Sequence, residues 1–192
     1  MRVIYSPSET ISNIWAYFLT KVFFKGARLI RRPVYIRGRK NLIYGKGLTL
    51  GHACRFDLLG KNEALKIGRD CIVGDNVHFV AYESVEIGND VLMASKIFIS
   101  DTDHGNYKNF FQSLPNEIPN ARQLFSKPVR IGDKVWIGEN VVILAGSSIG
   151  NGSIVGANSV VKGVFPDNCI IAGNPAKVIK KWDSEANQWS KI

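Results

Sequence analysis

The chain has little cysteine and no closely spaced histidines. Cys54, Cys71 and Cys169 are the three cysteines of 192 residues; they form no CxxC pair and sit in apolar runs. An odd count with that spacing excludes a disulfide framework and fits small buried hydrophobes in a reducing compartment. The histidines, His52, His78 and His104, lie far apart. Structural zinc needs four clustered ligands, so no metal is expected. No run approaches the ~18 unbroken apolar residues of a membrane-spanning helix. The N-terminus also lacks the charged, apolar and small-residue order of a cleaved leader. A single cytoplasmic domain is therefore expected.

What is present in excess is positive charge. The formal net charge is +9, which favours an anionic partner: nucleic acid, an anionic membrane or a phosphorylated small molecule. Charge alone does not choose among them.

The organising feature is a period of six. Ile131, Ile137, Ile143, Ile149, Val155 and Val161 follow one another without a break, and four of the six are followed by Gly. The positions four further on are Val135, Val141, Ser147, Ser153, Ser159 and Phe165. The same register runs through Ile67, Val73 and Phe79, resumes at Ile87, Met93 and Ile99 after a two-residue slip near Ala81-Tyr82, and begins weakly around Ile43 to Cys54. An amphipathic helix repeats at three and four and an ordinary strand at two, so neither explains a strict six. A triangular coil does: each unit supplies one short strand and one corner, and each coil is buried only against its neighbours.

Two segments fall outside the period. Ile99 and Ile131 are 32 residues apart, so a loop of roughly 26 residues, about 101–126, must leave the coil, and loops on a rigid scaffold often carry function. Residues 1–33 carry Ile11, Ile14, Trp15, Phe18, Leu19, Val22 and Phe23 at near-helical spacing, followed by Lys25, Arg28, Arg31 and Arg32. This predicts an amphipathic helix. Its apolar face has two candidate roles, capping the first coil or docking on an anionic membrane leaflet. The expected organisation is 1–33 amphipathic segment, 34–183 coil domain, and 184–192 a short C-terminal helix or tail.

At the loop's start the sequence reads Asp101-Thr102-Asp103-His104-Gly105, and it re-enters as Pro128-Val129-Arg130-Ile131-Gly132-Asp133-Lys134-Val135-Trp136-Ile137-Gly138; near the end comes Gly173-Asn174-Pro175-Ala176-Lys177. These motifs and the repeat resemble the hexapeptide-repeat acyltransferases over about residues 40–183, with the closest likeness to polysaccharide O-acetyltransferases of the galactoside and maltose acetyltransferase group. The resemblance implies an all-β solenoid, a left-handed parallel β-helix, and acetyl-CoA as co-substrate. It also implies a homotrimer with active sites between subunits, and a sugar or glycan acceptor that is lipid-linked in surface-polysaccharide pathways.

In that family the histidine at the edge of the loop is the catalytic base, which is His104 here. A histidine near neutral pKa suits removal of a sugar hydroxyl proton for direct attack on the thioester, without a covalent intermediate. Asp101 or Asp103 is the candidate to orient it. Trp136 matches the family tryptophan beside the histidine. Lys162, Lys177 and Lys180 match cations for the coenzyme's phosphates, and Gly138 and Ala157 the narrow groove for its pantetheine arm. Asn76 and Tyr82, on the coil below the loop, are weaker acceptor-binding candidates. The longer N-terminal region that supplies an acceptor carboxylate in the galactoside enzymes has no counterpart. Nucleic acid is not an expected partner. The alternatives are a small free sugar or amino-sugar as acceptor, a non-catalytic repeat scaffold, and a γ-type carbonic anhydrase, whose three zinc histidines include a close pair that this chain lacks.

Overall fold

The six-residue rule fixes where each strand lies. A computed structural model describes residues 5–60, 63–108 and 110–192; residues 1–4 of the expected N-terminal segment and Asn109 of the expected loop lie outside the described residues. The chain winds through three parallel sheets that form the faces of a triangular prism. Face A begins with β1 (Leu29–Ile30), face B with β2 (Val34–Arg37) and face C with β3 (Leu42–Tyr44). Each later coil adds one strand to each face, so that Thr49 stacks on Leu29, Arg55 on Tyr35 and Lys66 on Ile43. The expected all-β solenoid is the fold the chain adopts.

Burial follows the period. Ile131, Ile137, Ile143, Ile149, Val155 and Val161 point inward, none more than 3% exposed. The corner residues Val135 and Val141 are buried beside them, as are Ser147, Ser153 and Ser159. A buried hydroxyl needs a partner, and each serine donates to a backbone carbonyl, of Leu144 at 2.6 Å, Pro166 at 3.1 Å and Gly156 at 2.7 Å respectively. All three cysteines are free and buried. In the first coils the inward register is Leu42, Leu48 and Cys54, whereas Ile43 faces out.

The ends differ from expectation. The coil starts at β1, five residues before the expected boundary at 34. The expected C-terminal helix or tail at 184–192 instead carries a strand, β23 (Gln188–Lys191), which pairs with β22 (Ala176–Asp183), itself turned back antiparallel on β21 (Cys169–Gly173). Trp182 and Trp189 meet edge to face with centroids 5.4 Å apart, a cross-strand pair of the kind that stabilises hairpins. This hairpin occupies the last edge of face A.

The N-terminal helix α1 (Pro7–Phe23) starts at Ser6, which caps it reciprocally with Glu9. Proline at the first helical position suits this start. The residues α1 buries are Ala16 and Thr20. The Thr20 hydroxyl donates to the Ala16 carbonyl at 2.6 Å and accepts the Ile30 N–H at 2.8 Å, tying the helix to face A. The first coil is closed by Phe24, Ala27 and Ile30. The large apolar residues of α1 do not cap it, because small side chains let the helix sit close.

Candidate active site

The loop leaves the prism at the corner between faces B and C. After β11 (Phe98–Ser100) on face B, Asp101 is fully buried. Its carboxylate accepts N–H bonds from Tyr82 at 2.9 Å, Glu83 at 2.7 Å and Ser84 at 2.8 Å, which form the corner of the coil below. Those bonds direct Asp101 inward. Of the two carboxylates expected to orient His104, Asp101 instead has its own bonded to the corner from which the loop departs.

The loop's neck is a hairpin. β12 (Thr102–His104) pairs antiparallel with β13 (Leu124–Ser126), setting His104 opposite Leu124 and Asp103 opposite Phe125. The Lys127 N–H to Asp101 carbonyl bond, 2.8 Å, closes its base. Side chains alternate across a strand, so His104 and Asp103 project from opposite faces of this ribbon and Asp103 does not reach back to the imidazole. Both are exposed.

The hairpin stands between two hollows. On one side Leu124 and Ser126 line a space with Leu59, Tyr82 and Glu83, and His104 shares the Leu124 face by register. On the other side Asp103 lines a hollow of about 480 Å³ with Lys127, Ala145 and Lys162. Tyr82 and Lys162 thus lie beside the base of the loop, one on each side of the hairpin. Asn76 is on the coil below the loop, as expected, but at the corner between faces A and B with φ 56°, a turn position that favours Asn.

Beyond the hairpin, Arg122 organises the loop. Its guanidinium donates to the Tyr107 hydroxyl at 2.7 Å and to the Leu114 and Glu117 carbonyls at 3.0 and 3.2 Å. The Tyr107 hydroxyl in turn donates to the His104 carbonyl. Gly105 has φ +102°, and a Cβ there would lie 2.8 Å from the Tyr107 hydroxyl oxygen. Glycine is what lets the tyrosine reach the histidine backbone. Sequence reading missed Tyr107, Arg122 and Glu83. The Asp-Thr-Asp-His-Gly run contained the one usable signal, its glycine.

The remaining candidates lie elsewhere on the prism. Trp136 opens β15 (Trp136–Ile137) on face A, half exposed between Leu92 and Ile154. Gly138 and Ala157 meet on adjacent coils at the A/B corner, where a Cβ on Gly138 would fall 2.7 Å from the Ala157 nitrogen. Lys177 and Lys180 are on β22, against Ala172 and Ile170 of face A. Face A is opposite the B/C corner, so the body of the prism separates these residues from His104. The three histidines are likewise apart: His52 Nδ1 lies 2.7 Å from the Arg32 carbonyl oxygen and His78 Nε2 lies 2.9 Å from Asp57. Among the described residues no three His, Cys, Asp or Glu groups are assembled as a metal site.

On face B, Asp57 is held by Arg37 at 2.7 Å, Arg55 at 2.7 Å and His78. Burial pushes its carboxyl pKa up, but the hydrogen bonds from Arg37, His78 and Arg55 outweigh that and hold it below the usual carboxylate range.

The repeated six-residue coil defines a class of solenoid transferases, and comparison with known proteins names it. Residues 128–163 match the model described as bacterial transferase hexapeptide (six repeats). The chain is 47% identical over 174 residues to the putative lipopolysaccharide biosynthesis O-acetyl transferase WbbJ of Escherichia coli K12, covering 90% of this chain and 88% of that protein. It is 35% identical to the galactoside O-acetyltransferase of the same organism, over 78% and 71% of the two chains. Among solved structures, the hexapeptide-repeat acetyltransferase VCA0836 of Vibrio cholerae, complexed with acetyl coenzyme A, is 27% identical with a TM-score of 0.53 over 88% and 76% of the chains. The N-acyltransferase AntD of Bacillus cereus shares the fold, with a TM-score of 0.71 at 21% identity over 97% and 93%. The chain belongs to the hexapeptide-repeat acetyltransferase family and is an acetyltransferase.

Proposed function

We propose that this enzyme transfers acetyl from acetyl-CoA to a hydroxyl of a surface-glycan intermediate, of the lipopolysaccharide O-antigen kind, with His104 as general base. The observation that carries this reading is His104 itself. It is an exposed imidazole on a hairpin anchored at its base by Asp101, on the same face of that hairpin as Leu124, which lines a hollow with Tyr82 and Glu83. The 47% identity to WbbJ supports the acceptor class. In the reaction His104 removes the sugar hydroxyl proton as the oxygen attacks the thioester carbonyl. The C–O bond forms, the C–S bond breaks, and the imidazolium returns the proton to the departing thiolate. No covalent acyl-enzyme is formed.

Donor binding needs two subunits in this account. Lys162 shares the corner hollow with Asp103, whereas Trp136, Gly138, Ala157, Lys177 and Lys180 lie on or beside face A. One coenzyme reaches both sets only if face A of one subunit meets the B/C corner of the next, as in a homotrimer. The outer surface of face A supports such a contact: Ile72, Leu92 and Trp136 stack as neighbours across three coils and are 41–51% exposed. Phe110 and Phe111 on the loop, 100% and 91% exposed, extend the apolar surface at the opposite corner. The lysines meet the phosphates and Gly138 with Ala157 keeps the groove narrow. The site would lie in the cytoplasm, where acetyl-CoA is available.

A small free sugar is the second reading, favoured by the 35% identity to the galactoside enzyme. Incubation with acetyl-CoA and either lipid-linked O-antigen oligosaccharide or free monosaccharides, followed by mass spectrometry, tests both. A base-labile acetyl on the oligosaccharide is expected, and acetylation of free sugars alone contradicts the proposal.

A further inference from the structure

Helix α1 is inside out. Ile11, Ile14, Trp15, Phe18 and Val22 share one helical stripe and are 57–69% exposed. The buried Ala16 and Thr20 are on the opposite side. Trp15 and Phe18 stack on each other with centroids 5.8 Å apart, and Tyr5 and Tyr17 flank the stripe, 42% and 53% exposed. A helix whose large apolar side faces outward while small residues hold it to the fold is built to bury that side against something else.

The charge distribution says what. Ten of the 25 Lys and Arg lie in residues 1–50, against one of the 16 Asp and Glu, so residues 51–192 are electrically balanced and the whole surplus of +9 falls in the stretch of sequence that includes α1 and the first coil. Lys21, Lys25, Arg39, Lys40 and Lys46 are exposed there. A second copy docking through this stripe would bring two positively charged ends together. An anionic surface is complementary to it. The stripe carries aromatic and aliphatic residues with cations alongside, and α1, at 17 residues, would be about 25 Å long, shorter than the ~30 Å hydrocarbon core. That combination suits a helix lying in the headgroup region of a bilayer. Among the described residues no helix is long and apolar enough to cross a membrane.

We propose that α1 and the basic N-terminal end of the solenoid form a docking surface for an anionic lipid bilayer. In a cyclic assembly with parallel coils the helices share one end, so several would engage the same surface and add their affinities. The docking concerns where the enzyme works and is separate from its chemistry: its failure would leave the role of His104 untouched.

The test uses full-length protein with vesicles of phosphatidylcholine alone or mixed with phosphatidylglycerol, read by cosedimentation. Trp15→Glu/Phe18→Glu changes two solvent-facing residues, and unchanged melting confirms its fold; oligomeric mass is measured without lipid. The wild type is expected to cosediment with the anionic vesicles and not the neutral ones, the double variant to lose at least about tenfold in partitioning, and both to have the same mass. Equal partitioning of the two proteins, or equal binding to neutral and anionic vesicles, overturns the proposal. So does a smaller oligomer for the variant, which would mean that another copy of the chain covers the stripe.

Discussion

The buried carboxylate of Asp101 accepts the Ser84 N–H at 2.8 Å from one coil below, so the residue that begins the excised loop also fixes the corner beneath it. Asp101→Ala would leave the N–H groups of Tyr82, Glu83 and Ser84 without their acceptor. The expected cost is about 3 kcal/mol, a Tm lower by roughly 6–12 °C, with Asp101→Asn intermediate because its amide oxygen still accepts. Thermal melts of the three proteins check this; a melting point for Asp101→Ala equal to wild type would contradict the anchoring role.

Tyr107 links the loop to the histidine backbone, with Arg122 donating to the Tyr107 hydroxyl at 2.7 Å. Tyr107→Phe should lower kcat about fivefold, in line with about 1 kcal/mol for one hydrogen bond. KM for acetyl-CoA should change little. A change confined to KM would place Tyr107 in donor binding and not in positioning His104.

The proposed division of the site between face A of one subunit and the B/C corner of the next predicts complementation. His104→Ala and Trp136→Ala homo-oligomers are each expected to be impaired. Subunits of the two, unfolded together in equal amounts and refolded, should regain about a quarter of wild-type sites, because that share of interfaces pairs an intact His104 with an intact Trp136. No gain on mixing would mean that each site is built within one chain.

Much of this was legible in the sequence, and what escaped it has physical causes. The inward register from Ile131 to Val161 could be read because a solenoid interior tolerates only apolar or small residues every sixth place. The loop boundaries followed from the same register, and His104 from the motif at its exit. Periodicity identified the apolar stripe of α1 but not its direction, since Ala16 and Thr20 give no hydrophobic signal yet make the contact. Lys177, Val178, Ile179 and Lys180 alternate too poorly to announce β22, whose stability comes from β21 and from Trp182 against Trp189. Asp101 and Asp103 were indistinguishable in sequence. Only the three-dimensional corner shows that Asp101 is committed to backbone N–H groups.

Acid sensitivity should trace to face B. The Asp57 carboxyl lies below its usual range in the folded protein, with Arg37, Arg55 and His78 facing it. A depressed folded-state pKa contributes stability that is present above the unfolded carboxylate value, ~3.9, and lost as pH falls through the folded one. Asp57→Asn is expected to be less stable at neutral pH and to show a shallower loss below about pH 4. Parallel stability curves for the two proteins from neutral pH down to pH 3 would contradict this.

The most direct test of the central claim is steady-state acetyl transfer by His104→Ala, with acetyl-CoA binding and melting measured alongside. Because the imidazole is exposed and lies outside the core, the proposed role as general base predicts kcat lower by about 10²–10⁴-fold, with coenzyme affinity and Tm unchanged. Turnover near that of the wild type would contradict it.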